Sequence, residues 1–361
     1  MKSKLFFSLL LQLVLTIGFS QALKTENVIL VTLDGMRWQE VFGGAEKRLI
    51  TKKFVGDTAQ TLAKFWNENP AVRRETLMPF FWKTIQKQGQ LHGNRGLGNN
   101  VNVTNNQWFS YPGYNEILTG SADNERINSN DAFDNPNKNV LEFIHAKKGF
   151  EGKVAAFTSW ETFPRIINTK RNGIPVNAGW MPAANPNANE KLLNELSQQL
   201  PNFTGGTRLD ALTFHYGFEY LKKNRPRVLY LSFDETDHFA HEGEYDRYLA
   251  SAQYIDGFMN TLWTWLQSDP QYKGKTTLVI TADHGRGNKN ISDWRHHGQK
   301  MPECDQIWFA FIGPDTPPLE EMKAEQQLYQ NQIAATITTF LGLEYTNERK
   351  PGNAVVSAIK K

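Results

Sequence analysis

Three short runs of β-branched and aliphatic residues each end on an aspartate. Val28–Leu33 runs into Asp34, Val228–Phe233 into Asp234, and Thr277–Thr281 passes through Ala282 into Asp283. Most positions in each run are apolar rather than alternating, as in strands covered on both faces. Val154–Phe157 and Ile307–Ile312 read the same way, and helical patterns occupy 75–88, 137–148, 207–223, 246–267 and 325–341. That alternation predicts an α/β fold with a mainly parallel sheet and helical crossovers. In such a sheet ligands gather beyond the carboxyl ends of the strands. Three acids delivered to that edge repel one another unless a cation joins them, so the pattern points to a metal site.

The histidines fit the same reading. His238 lies four residues after Asp234, one helical turn on, so both side chains can address one ion. His284 follows Asp283 directly, and His296-His297 precede Gly298. A lone aspartate after a strand is ordinarily a turn or cap residue, and a lone histidine is ordinarily a surface or core residue. Four of the eight histidines beside three strand-end acids make a different statement. Oxygen and imidazole ligands together suit zinc, with manganese or iron behind it and calcium poorly matched. The nucleophile is read at Ser110, two residues before Pro112. A serine there can simply cap a helix. The same geometry sets its hydroxyl at a helix N-terminus, where a phosphate is welcome and a nearby divalent ion would lower the hydroxyl pKa.

The order of these motifs is Asp34, then Ser110-x-Pro112 with Thr119-Gly120, then Asp234-x-x-x-His238, then Asp283-His284-Gly285, then His297. It resembles the alkaline phosphatase superfamily, and within it the type I phosphodiesterase/nucleotide pyrophosphatase branch. The resemblance spans Asp34 to His297 and implies a three-layer sandwich, a mainly parallel central sheet flanked by helices. It also implies hydrolysis of phosphoric esters through a phosphoserine, with two divalent ions, zinc or manganese. One ion falls to Asp234, His238 and His297, the other to Asp34, Asp283, His284 and the Ser110 oxygen. His296 stays open as the alternative to His297, since His-Gly is the phosphodiesterase arrangement and His-x-Gly the phosphatase one. Asn130, or Asn128 beside it, answers to the asparagine that related enzymes carry past the nucleophile. Asp237 and His241 flank the Asp234/His238 pair as possible supporting partners, with solvated loop residues the plainer reading.

The chain also departs from its relatives. Phosphodiesterases commonly have threonine where Ser110 stands. Sulfatases that mature an aldehyde need arginine where this chain has Tyr114. The interval from Ser110 to Asp234 is too short for the inserted domain of the related phosphoglycerate mutases. A phosphonate or sulfate ester hydrolase on the same residues, or a non-catalytic metal-binding relative, are the competing readings. Arg126, Arg286 and Lys289 lie near the motifs and bear on monoester against diester preference.

The N-terminus reads as an export signal. Lys2 and Lys4 precede an apolar run from Leu5 to Phe19, and Ser20-Gln21-Ala22 supplies small residues for cleavage. Ser8, Gln12 and Thr16 interrupt a run already short for a membrane span. The expected product is residues 23–361 as one catalytic domain, periplasmic or secreted, with no membrane span and with loop insertions near 88–138 and 160–206. Without Lys2 and Lys4, the 40 Lys and Arg come nearly level with 37 Asp and Glu, so charge gives nucleic-acid binding no support. The expected partner is a small phosphate ester. Cys304 is the only cysteine, so no internal disulfide forms and stability falls to the core and any bound ions.

Overall fold

In the computed structural model residues 23–360 are described, and the export signal read at 1–22 lies outside them. Among the described residues there are eleven strands: β1 (Asn27–Leu33), β2 (Gly89–His92), β3 (Asn99–Asn102), β4 (Val154–Thr158), β5 (Val176–Ala178), β6 (Val228–Phe233), β7 (Thr276–Thr281), β8 (Gln306–Ile307), β9 (Phe309–Ile312), β10 (Glu320–Glu321) and β11 (Gln326–Tyr329). Eight form the main sheet in the order β10-β2-β9-β7-β1-β6-β4-β5, and β11-β3-β8 form a small second sheet. The stretch β7-β1-β6-β4-β5 is parallel throughout, and β9 alone runs against its neighbours β7 and β2. Every residue of β1, β4, β6 and β7 is buried, because helices cover both faces of this sheet. The expected α/β architecture with a mainly parallel central sheet is therefore the observed one.

Three expected elements differ. Ile307–Ile312 is not one strand: β8 pairs with β3 in the small sheet, while β9 joins the main one. The break falls at Trp308, whose indole N–H donates to the Met36 carbonyl at 2.9 Å and whose own carbonyl accepts from Thr281 Oγ1 at 2.8 Å. The helix read at 75–88 divides too. Pro70–Leu77 ends at Met78, since the residue before Pro79 is driven out of helical geometry. The chain resumes in wide turns whose first N–H groups, those of Phe80 and Phe81, are taken by the Asp256 carboxylate. The segment 325–341 opens on β11 before the helix Ile333–Phe340 begins. Periodicity missed β2, β3, β5 and β10 because all four are short. Among the described residues no helix is long and apolar enough to cross a membrane.

Candidate active site

The register of the central strands brings the three acids level. Leu33 pairs with Phe233 and Thr32 with Thr281, so Asp34, Asp234 and Asp283 leave three adjacent parallel strands at one height. Asp34, Asp283 and His284 are wholly buried. His284 Nε2 stands 3.2 Å from Asp34 Oδ1 and 3.5 Å from Asp283 Oδ2. All three of those atoms lack a hydrogen-bond partner. The other atoms of these side chains are committed. Tyr114 donates to Asp34 Oδ2 at 2.8 Å, Gly35 N–H donates to Asp283 Oδ1 at 3.0 Å, and His284 Nδ1–H donates to the Gly285 carbonyl at 2.9 Å. The last bond commits Nδ1 and turns Nε2 toward the two carboxylates. Three buried, converging, unpartnered donor atoms of this kind fit a cation.

A second group stands beside the first. The helix Glu235–Glu242 continues directly from β6. Asp234, at its first turn, gives its backbone N–H to Asp210 Oδ1 at 2.9 Å. One turn further, His241 Nε2 is 3.3 Å from Asp237 Oδ2, and His297 Nε2 is 3.5 Å from Asp237 Oδ1. The two Nε2 atoms are 2.9 Å apart, an approach that needs a proton or a cation between them. His297 Nδ1–H points to the Trp108 carbonyl at 3.3 Å. His284 Nε2 is 3.8 Å from Asp237 Oδ1, farther than from Asp34 or Asp283, so it belongs with the buried group. Its ring stacks on that of His297, centroids 4.0 Å apart, which makes the two groups neighbours.

This arrangement bears on the sequence-derived ligands. The His238 ring lies beside those of Phe203 and Phe239, at 6.3 Å and 5.2 Å between centroids. The aspartate–histidine pair one turn apart that reaches His297 is Asp237/His241, three residues beyond Asp234/His238. Both pairs have the same spacing, and the point where strand gives way to helix decides which one reaches His297. His296 is exposed, so the His297 of the pair is the one at the cluster. Arg126 pairs with Asp123 and Lys289 is exposed.

Ser110 opens the helix Ser110–Thr119, every residue of which is buried. That helix is pressed against the acids. A Cβ on Gly113 would lie 2.4 Å from the Asp283 carbonyl oxygen, so only glycine permits the approach. Tyr114, one residue on, is the group that holds Asp34. Asn130 Oδ1 accepts the Tyr111 N–H at 2.9 Å, which brings its amide beside the helix start, whereas Asn128 turns away to the Glu125 carbonyl. The preceding loop is clasped from within. Buried Glu116 accepts from the Thr104 and Asn105 N–H groups and from both their side chains, and Asn105 Oδ1 accepts the N–H groups of Gln107 and Trp108. Trp108 itself has φ of 53°, a costly conformation for a bulky residue.

The electrostatics follow from crowding. Burial first, then the charge of Asp237, raises the Asp34 carboxyl above its ordinary range, and burial with Asp34 raises Asp283 well above it. Burial opposes the charged form of His284, yet Asp283 and Asp34 carry it up to about 9. Asp237 behaves oppositely. Against the upward push of burial, the Arg286 guanidinium holds it well below the carboxylate range. Burial and the neighbouring His284 push His297 well below the ordinary imidazole value. Arg286, read in the sequence as a basic residue near the motifs, stands right after Asp283-His284-Gly285 and is the cation beside Asp237.

A type I phosphodiesterase/nucleotide pyrophosphatase family model matches residues 45–301, which takes in Ser110 through His297 and begins after Asp34. No curated protein matches the sequence. Solved structures with a similar fold include the lipoteichoic acid synthase LtaP from Listeria monocytogenes (12% identity, TM-score 0.58, 92% of this chain and 76% of that one). The phosphonate monoester hydrolase of Silicibacter pomeroyi is comparable (12% identity, TM-score 0.57, 92% and 76%). So is the alkaline phosphatase PafA (11% identity, TM-score 0.58, 94% and 99%). At these identities the likeness concerns the fold.

Proposed function

This chain belongs to the type I phosphodiesterase/nucleotide pyrophosphatase family and is a phosphoester hydrolase, and from that premise we propose that Ser110 attacks phosphorus beside two divalent ions. The observation that carries the reading is the set of buried, unpartnered atoms Asp34 Oδ1, Asp283 Oδ2 and His284 Nε2. With the Ser110 oxygen these residues would hold one ion. For the other, the geometry favours Asp237, His241 and His297 over the Asp234, His238 and His297 of the motif order. Nitrogen and oxygen donors together favour zinc, with manganese the alternative. Bound there, the ions would neutralise the phosphoryl oxygens and favour the serine alkoxide.

The residues then divide the work. Ser110 Oγ forms a bond to phosphorus as the bond to the leaving oxygen breaks, and the leaving oxygen takes up a proton. Water next attacks the phosphoserine, the Oγ–phosphorus bond breaks, and the serine regains its proton. The N-terminus of the Ser110–Thr119 helix favours the negative charge that gathers there. Asn130 has its Oδ1 engaged by Tyr111 N–H, which leaves its Nδ2 to donate to a phosphoryl oxygen. The reading includes export of a single catalytic domain, on the strength of the sequence of residues 1–22, and a small phosphate ester as substrate.

The test is metal analysis of the purified chain together with hydrolysis of bis-aryl and mono-aryl phosphates, aryl phosphonates and aryl sulfates, before and after chelation. Two ions per chain and chelator-sensitive turnover of a phosphate ester are expected. Ser110→Ala should keep the ions and lose turnover. A chain that binds no ion, and stays inactive when metal is added, refutes the proposal.

A further inference from the structure

We infer that Arg286 is a positioning residue that assembles the Asp237/His241/His297 ion site, an inference that rests on the two-ion reading above. Its side chain has no exposure to solvent, and it spends its fork on three separate segments. Nε donates to the Gly35 carbonyl at 3.1 Å, in the turn just after Asp34. Nη1 donates to the Arg295 carbonyl at 2.9 Å, two residues before His297. Nη2 donates to the Asp237 carbonyl at 3.2 Å and also to Asp237 Oδ1. The turn after β1 is shaped around this group. A Cβ on Gly35 would sit 2.8 Å from both Nε and Nη2 of Arg286, and Gly35 has φ of 56°. Arg295, held through its carbonyl, in turn donates from Nη2 to the His241 carbonyl at 2.7 Å. Asp237, His241 and His297 come from a helix and a distant loop, and the guanidinium is the group that ties both to the strand end.

Coulomb's law makes the inference testable by sign. A fixed positive charge beside two divalent ions opposes their binding, so deleting it should tighten binding if charge were its only contribution. If Arg286 acts by holding ligands in place, deleting it should weaken binding, by roughly 10–100-fold for a supporting partner of metal ligands. An ammonium restores the charge but cannot reach three carbonyls at once.

The experiment is competition of zinc between a chromogenic chelator and the full chain, as wild type, Arg286→Met and Arg286→Lys. Both variants should release one of the two ions roughly 10–100-fold more readily, while the other ion changes much less. Equal or tighter zinc binding by Arg286→Met overturns the inference. Should Arg286→Met not fold, unchanged binding in Arg286→Lys overturns it equally. The parent reading is judged separately on the wild type. If the wild type takes up no zinc, both fall; if it takes up two and the variants match it, the inference alone falls.

Discussion

The two candidate ion groups are built from different kinds of element. Asp34, Asp283 and His284 leave strand ends whose height is set by sheet register, and all three are wholly buried. Asp237, His241 and His297 come from a helix and an irregular loop, and His241 is exposed. Hydrogen bonds along two neighbouring strands align the first group before any side chain contributes. The second depends on helix phase and on a bridging arginine. A ligand at a strand end is thus fixed by backbone pairing, whereas a ligand on a following helix can be shifted a whole turn by the choice of first helical residue.

The widest separation between the groups should come from Asp34→Asn and Asp283→Asn. Either removes a carboxylate from the strand-end group, and loss of several kcal/mol of charge stabilisation means turnover about 10³-fold lower. Steady-state kinetics with metal in excess measures this, and a loss under tenfold would break the claim that this group is the more deeply committed one. Next in size is the contrast inside the helix. His241→Ala should lower kcat/KM by roughly 10²-fold, whereas His238→Ala, which removes a ring lying beside those of Phe203 and Phe239, should stay near wild type. The reverse ranking would reinstate Asp234 and His238 as the ligand pair.

A smaller effect is expected where the nucleophile helix meets the strand end. Gly113→Ala forces a methyl to 2.4 Å from the Asp283 carbonyl oxygen, and overpacking of that kind costs about 1–3 kcal/mol. Thermal unfolding should register it together with weaker metal retention; an unchanged Tm would show that the helix can back away. The mildest test uses a buried carboxylate outside both groups, Asp256. Burial lifts Asp256 to about 7, although the N–H groups of Phe80 and Phe81 pull it down. An ordinary aspartate titrates near 3.8, so the contribution of Asp256 is fully present below that pH and is lost as pH rises through about 7. The stability of wild type relative to Asp256→Asn, from urea unfolding, should decline over that window. A flat difference would mean that burial there is less complete than it looks.

Much of this was legible in the sequence for a physical reason. β6 has the bounds expected of it, and β1, β4 and β7 lie within a residue of theirs, because apolar runs buried on both faces have sharp edges. Asp34 directly follows such a run and Asp283-His284 come one residue after another such run, which is why the sequence marked them as candidates. Trp308 was harder: Ile307 through Ile312 looks continuous in sequence, and the break shows only in the bonds Trp308 makes to Met36 and Thr281. Asp237 and His241, whose carboxylate and ring approach His297, were read only as flanking Asp234/His238, a pair of identical spacing three residues earlier. Arg286 was visible as a residue but not as a junction, since its partners at 35, 237 and 295 are far apart in the chain.

The position of β1 also governs when this site can come into being. Val28 pairs with Val228 on one side and with Thr277 on the other. β1 therefore waits for partners 200 and 249 residues further along the chain. Pairings across such sequence distances carry a large loop-closure cost and fold slowly. Asp34 stays apart from Asp283 until the sheet closes at its centre, so a fragment ending before β7 keeps Asp34 but lacks Asp283 and His284. Tight zinc uptake by a refolding chain would accordingly mark a late event, the joining of β1 to β7.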